Sequence, residues 1–184
     1  KIKKSYEEVN KTIPKNLYGI SKLKGENYIK KILKKYLIIR VSWLFGHGKN
    51  NFVFKIIDKS KSNNSITVVE NEYSSPTCAI DLANTVLTIL YEILIYNNNN
   101  FGIYHYNSLD KKISRYQFAK MIINKISNIE ISNTKIYKIK INDNFRPFNS
   151  FLNTRKIYNK FNIKRPDFNK SLKQMINYYL ERLK

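Results

Sequence analysis

The chain is expected to adopt an α/β fold with parallel strand pairing. Two observations carry this expectation. Short apolar, β-branched runs alternate with stretches of helical periodicity along the whole length. The first run, Tyr36 to Ser42, is apolar on consecutive positions, as in a parallel strand covered on both faces. At 184 residues the chain can bury one ordinary core, so one domain, or one piece of a larger one, is expected.

In chain order, Leu17, Ile20, Leu23, Tyr28, Ile29, Ile32 and Leu33 recur at roughly helical spacing, which predicts a helix over Tyr18 to Lys35. The strand Tyr36 to Ser42 follows it. Asn51 to Ser60 reads as a second helix and Ser65 to Val69 as a second strand. Ala79 to Tyr96 is the longest helix, stopped by the run Asn97 to Asn100. It carries Asp81 and Glu92, so it reads as a buried amphipathic helix and not as a membrane span. Gly102 to Tyr106 alternates like a strand. Ser114 and Gln117 form a capping box for a helix running to about Ile126. Lys135 to Ile141 reads as a strand and Arg146 to Asn153 as a loop. Closing helices are expected near Thr154 to Phe161 and Phe168 to Lys184. A subdomain boundary is placed near Gly46, where the regular βα rhythm gives way to longer loops.

The formal charge of +21 comes from 34 basic and 13 acidic residues. A nucleic-acid footprint would gather that charge in an arginine patch or an aromatic RNA-binding motif. Here the cations are mostly lysine, spread along the chain among many Asn and Ile, as an AT-rich coding sequence produces on solvent-facing positions. No nucleic-acid or membrane partner is therefore expected. Cys78 is the only cysteine, which rules out an internal disulfide and suits a reducing cytoplasm. It has no companion at nucleophile or zinc spacing. His105 reads as a structural histidine in its strand, His47 as an incidental loop residue, and Asp81 as support for the start of its own helix.

Two Tyr-x-x-x-Lys pairs occur, Tyr18 with Lys22 and Tyr116 with Lys120. With this many Tyr and Lys residues, roughly two such pairs arise by accident, so context must choose between them. Tyr116 lies among Phe118, Ala119 and Met121 and reads as a packing residue. Tyr18 opens a helix that feeds the strand ending at Ser42-Trp43, and so points to the carboxyl ends of parallel strands, where open α/β sheets bind ligands. Lys22 shares its helix face. A phenol beside an ammonium is a ready proton donor for a carbonyl under reduction, and the positive charge favours the phenolate left behind.

Six motifs then follow one another in order: Pro14-x-Asn16-x-Tyr18-Gly19-x-Ser21-Lys22-Leu23-x-Gly25-Glu26; Arg40-x-Ser42-Trp43; Asn51-Phe52; Pro76-Thr77 with Asp81-Leu82-Ala83; Gly102-Ile103-Tyr104-His105; and Arg146-Pro147 with Ser150 and Leu152. Over nearly its whole length the chain resembles dTDP-4-dehydrorhamnose reductase, of the extended short-chain dehydrogenase/reductase superfamily. The resemblance implies an incomplete Rossmann-like parallel sheet with a small α/β substrate-binding subdomain. Residues 1–46 would belong to the cofactor domain and 47–184 mainly to the substrate subdomain, with some segments returning to the sheet. It implies that Tyr18 gives a proton to the C4 oxygen of a 4-keto sugar while hydride arrives from NADPH or NADH, and that Lys22 holds the nicotinamide ribose. Trp43 would pack on the deoxyhexose, a core Trp at a strand end being the alternative. Ser42 would line the same pocket, or satisfy backbone at the strand end. Asn51 and Arg146 are candidates for the nucleotide diphosphate, with a helix cap and a surface charge as their alternatives. Mg2+ and a homodimer are left open by the resemblance.

The Gly-rich strand-turn-helix that grips a dinucleotide is absent from these residues. The expectation is therefore a fragment of a reductase, or the product of a truncated gene, inactive alone and with an uncovered strand edge. Two other readings share the superfamily: a regulatory subunit like that of methionine adenosyltransferase, and another nucleotide-sugar epimerase or dehydratase. Retention of Tyr18, Lys22 and Trp43 together favours the reductase.

Overall fold

A computed structural model describes residues 5–48, 50–127, 134–142 and 146–182. Helix α1 spans Leu17–Ile32 and leads into β1, Leu37–Val41. The two-residue strand β2, Leu44–Phe45, precedes α2, Phe52–Ser62, and β3, Ser65–Val69. Two further short strands, β4 (Tyr73–Ser74) and β5 (Thr77–Cys78), lead directly into α3, Ala79–Ile95. Then come β6 (Gly102–Tyr106), β7 (Ile113–Ser114), α4 (Arg115–Ser127), β8 (Lys135–Ile139), α5 (Arg155–Phe161) and α6 (Phe168–Arg182). The Ser114–Gln117 capping box forms in both directions: Ser114 N donates to Gln117 Oε1 at 2.7 Å, and Gln117 N to Ser114 Oγ at 3.1 Å. The expected end of the last helix, residues 183–184, lies outside the described residues.

Strands pair across long sequence separations. β1 runs parallel to β6 with Leu37 opposite Gly102 and Arg40 opposite His105. β3 runs parallel to β8, and β2 to β5. The β4–β7 pair is antiparallel. Two-residue strands carry no periodicity, so sequence pattern has no purchase on them.

Two apolar clusters divide the molecule. Leu37, Ile39 and Val41 of β1 face Tyr104 and Tyr106 of β6, and α3 and α5 close over them with Ile89, Ile157 and Phe161. The larger cluster joins α2, β3, α4 and α6 through Ile57, Val68, Phe118, Leu172 and Ile176. β1 is half-buried at every position and not buried as its composition suggested. It has a hydrogen-bonded neighbour on one side only among the described residues, and α1 buries none of its own side chains.

The opposite face of β1 points to α1. Arg40 donates there to Glu26 through Nε and Nη2, at 2.7 and 2.5 Å. No described helix is long and apolar enough to cross a membrane.

Candidate active site

α1 begins where it does because Asn16 caps it, its side chain accepting from Gly19 N at 2.8 Å. Gly19 must be glycine: a Cβ there would stand 2.9 Å from Pro14 Cβ and 3.2 Å from Asn16 Oδ1. Tyr18 and Lys22 meet as their spacing requires, with Lys22 Nζ 5.2 Å from the Tyr18 ring centroid. Both face solvent, Tyr18 with 71% of its surface exposed. The Arg40–Glu26 pair sets their height against the strand. Tyr18 lies two helical turns before Glu26, roughly 12 Å along the axis, and Trp43 roughly 10 Å beyond Arg40 along the chain.

Ser42 is buried in a knot of hydroxyls. Its Oγ bonds Ser74 Oγ and lies 3.4 Å from Ser150 Oγ, while Ser74 Oγ donates to the Ser150 carbonyl at 2.9 Å. Thr77 Oγ1 donates to the Ser42 carbonyl at 2.8 Å. The hydroxyl thus ties the end of β1 to β4 and to the 146–153 loop. Trp43 follows with a left-handed φ of 47°. Its indole is half-buried, stacked on Phe118 at 6.3 Å and 14°, with the Arg115 guanidinium 3.9 Å from its ring centroid. The alternative of a core tryptophan at a strand end describes its contacts, and part of its surface stays open.

Asn51 sits at the N-cap of α2, accepting from Phe54 N at 3.1 Å. Its amide nitrogen is engaged with the carbonyls of Gly46 and Gly48 and with Tyr179 Oη. The alternative of a helix cap describes its contacts, and those donors hold the 46–48 turn rather than project outward. Gly46 passes close under α3, where a Cβ would meet Ala79 Cβ at 2.8 Å. A shallow concavity of about 350 Å3 opens beside this turn, lined by Phe45, Gly46, Asn51 and Ala79 among others. Arg146 is exposed, and its charge is felt by Arg115.

Arg115 is the residue that sequence reasoning missed. Burial pulls its guanidinium down to about 10, against the opposing pull of Glu72, with Arg146 adding like-charge repulsion. Its Nε lies 3.4 Å from Glu72 Oε2, and Glu72 is itself buried. The only available signal was its place directly after a capping-box serine, which says nothing of tertiary neighbours.

Other expected roles resolve as follows. His105 is buried, with Nδ1 3.2 Å from the Tyr6 carbonyl and its backbone N donating to Glu8 Oε1 at 2.9 Å, but its Nε2 has no partner among the described residues. Asp81 lies in the first turn of α3, where its charge suits the helix start, and its carboxylate also accepts from Ser171 Oγ of α6 at 2.7 Å, linking two helices. His47 packs edge-on to Tyr178 at 4.2 Å. Burial pushes the free Cys78 thiol up. Among the described residues no group of three or more His, Cys, Asp or Glu comes together as a metal site.

The RmlD substrate binding domain model matches residues 1–181. The chain is 29% identical over 179 residues to dTDP-4-dehydrorhamnose reductase of Aggregatibacter actinomycetemcomitans, covering 94% of this chain and 60% of that protein. The crystal structure of a dTDP-4-dehydrorhamnose reductase ortholog from Clostridium acetobutylicum superposes with a TM-score of 0.81 at 29% identity, over 95% of this chain and 60% of the other. That of the Bacillus anthracis enzyme in complex with NADP gives 0.78 at 28% identity, over 94% and 59%. The chain thus spans about three-fifths of the length of these relatives, and its fold is that part of a Rossmann-like α/β reductase. By the match over nearly its whole length, this chain belongs to the RmlD substrate-binding domain family.

Proposed function

We propose that the chain is the substrate-facing part of a cytoplasmic NAD(P)H-dependent reductase that converts dTDP-4-dehydro-6-deoxy-L-mannose to dTDP-L-rhamnose. The observation that carries this reading is the contact of Tyr18 with Lys22 on a helix tied by Glu26 to the strand that delivers Ser42 and Trp43. The nicotinamide supplies hydride when bound. Tyr18 Oη gives its proton to the sugar C4 oxygen, and the Lys22 ammonium holds the cofactor ribose and steadies the charge on the phenol. The open part of the Trp43 indole packs on the apolar side of the deoxyhexose. Arg146, exposed and cationic, suits the diphosphate. Ser42 and Asn51 act by shaping the pocket, one holding the end of β1 and the other the 46–48 turn. Residues 1–46 carry the cofactor-side pair, and most of 47–184 the sugar side.

The same reading has the chain inactive alone. Its five glycines form no phosphate-gripping turn. The edge of β1 that has no described partner, with Leu17, Tyr28 and Ile32 exposed on α1, offers a surface for a dinucleotide-binding half to cover. A regulatory-subunit role has no use for a tyrosine in contact with a lysine, which favours the enzyme.

The test is calorimetric titration of the chain with dTDP-L-rhamnose. Saturable binding that is lost in Trp43→Ala, with the far-ultraviolet spectrum intact, is the expected result. Equal binding by Trp43→Ala would remove the sugar from this site.

A further inference from the structure

Trp43 has a left-handed backbone that a bulky residue rarely adopts. Such a conformation persists only where its surroundings over-determine it. Part of the restraint is visible in the backbone, where Thr77 N donates to the Trp43 carbonyl at 3.3 Å. The side chain is restrained separately. Arg115 Cζ lies 3.9 Å from the Trp43 ring centroid and 4.9 Å from that of Phe52. Trp43 and Phe52 both stack on Phe118, at 6.3 and 5.5 Å with interplanar angles of 14° and 22°. Phe118 is fully buried, so the platform under both rings is the core itself. Arg115 is tied to Glu72 at two points: its backbone N donates to the Glu72 carbonyl at 3.0 Å, and its guanidinium Nε lies 3.4 Å from Glu72 Oε2.

A charge pair of this kind is costly to bury and is weak evidence for stability. An apolar side chain at Arg115 would pack against two aromatic rings as well. What the guanidinium adds is a planar cation whose Nε faces the Glu72 carboxylate while its carbon lies over the indole. A lysine at the same place would keep the charge and lose the plane.

We propose that Arg115, held by Glu72, is a positioning residue that locks the Trp43 indole in the orientation that receives the deoxysugar. The proposal rests on the reading of Trp43 as the sugar platform. Arg115 does not touch the reacting atoms; it acts through Trp43. The specificity it confers is for the apolar 6-deoxy face, because a loosened ring loses the shape match and not the nucleotide contacts.

Trp43 is the only tryptophan, so its fluorescence reports this site alone. Arg115→Lys is expected to raise acrylamide quenching of Trp43 at least about twofold and to weaken dTDP-L-rhamnose binding about tenfold, with binding of dTDP unchanged. Arg165→Lys, which removes a similar guanidinium stack from Tyr158 at 4.1 Å, is expected to leave Trp43 quenching as it was. Glu72→Gln removes the counter-charge while keeping a hydrogen-bonding group, and serves if Arg115→Lys does not fold; it is expected to shift quenching in the same direction. Quenching unchanged in whichever of the two variants folds overturns the proposal. Should the unaltered chain bind no dTDP-L-rhamnose, the reductase reading fails instead, and the quenching comparison still decides whether Arg115 orders the indole.

Discussion

Arg40 of β1 and Glu26 of α1 form a bidentate ion pair, with Nε to Oε1 at 2.7 Å and Nη2 to Oε2 at 2.5 Å. Both side chains are largely buried, and the hydrogen bond that Arg40 donates to Glu26 raises the guanidinium above its ordinary value. α1 contributes no buried residue of its own. This pair ties the helix bearing Tyr18 and Lys22 to the strand that leads into Ser42 and Trp43.

Glu26→Gln should loosen that tie. Loss of a charge-assisted pair costs about 1–3 kcal/mol, an unfolding midpoint lower by about 2–4 °C per kcal/mol. Hydrogen exchange of α1 amides is the sharper measurement. Exchange should accelerate across α1 while the amides of α4 and α6 keep their protection.

Tyr18→Phe tests the proton donor. In a preparation that turns over dTDP-4-dehydrorhamnose with NADPH, the rate should fall roughly 10²–10⁴-fold, with nucleotide-sugar affinity nearly unchanged. Undiminished turnover would give the proton to another group.

Asn51→Ala removes a helix cap and the clamp on the 46–48 turn. A cap alone is worth about 1 kcal/mol. Its bond to Tyr179 Oη and its hold on Gly46 should add to that, read as a lower midpoint in thermal unfolding. A midpoint equal to that of the parent chain would show the clamp to be idle.

Stability should fall as the solution is acidified through pH 6.5. Burial holds the His105 imidazole below that ordinary value, and the nearby Arg40 charge pushes the same way against Glu8. The unfolded chain then takes up a proton near pH 6.5 that the folded chain refuses. The contribution is fully present above pH 6.5 and declines below it, levelling off once the folded-state value is passed. Unfolding midpoints of the parent and His105→Gln between pH 5 and 8 check this, the variant being expected to show the shallower slope.

Several elements were legible because their signals are local. Ser65–Val69 and Gly102–Tyr106 are strands over the expected residues, and the Ser114–Gln117 box closes as its spacing requires. Tyr18 and Lys22 meet because four residues on a helix bring side chains together whatever surrounds them. The antiparallel β4–β7 pair was not legible, since two residues have no period. Nor was the engagement of Asp81 with Ser171, ninety positions away in the chain.

The sequence by itself determined the helices, the longer strands and the family, because periodicity, caps and ordered motifs reside in neighbouring residues. Tertiary structure alone decided where the charges go. Arg115 lies on Trp43 and Arg40 on Glu26 because chain crossings bring distant segments within hydrogen-bond and stacking range. Those interactions fall off within a few ångströms, and no pattern along the chain encodes which segments will be that close.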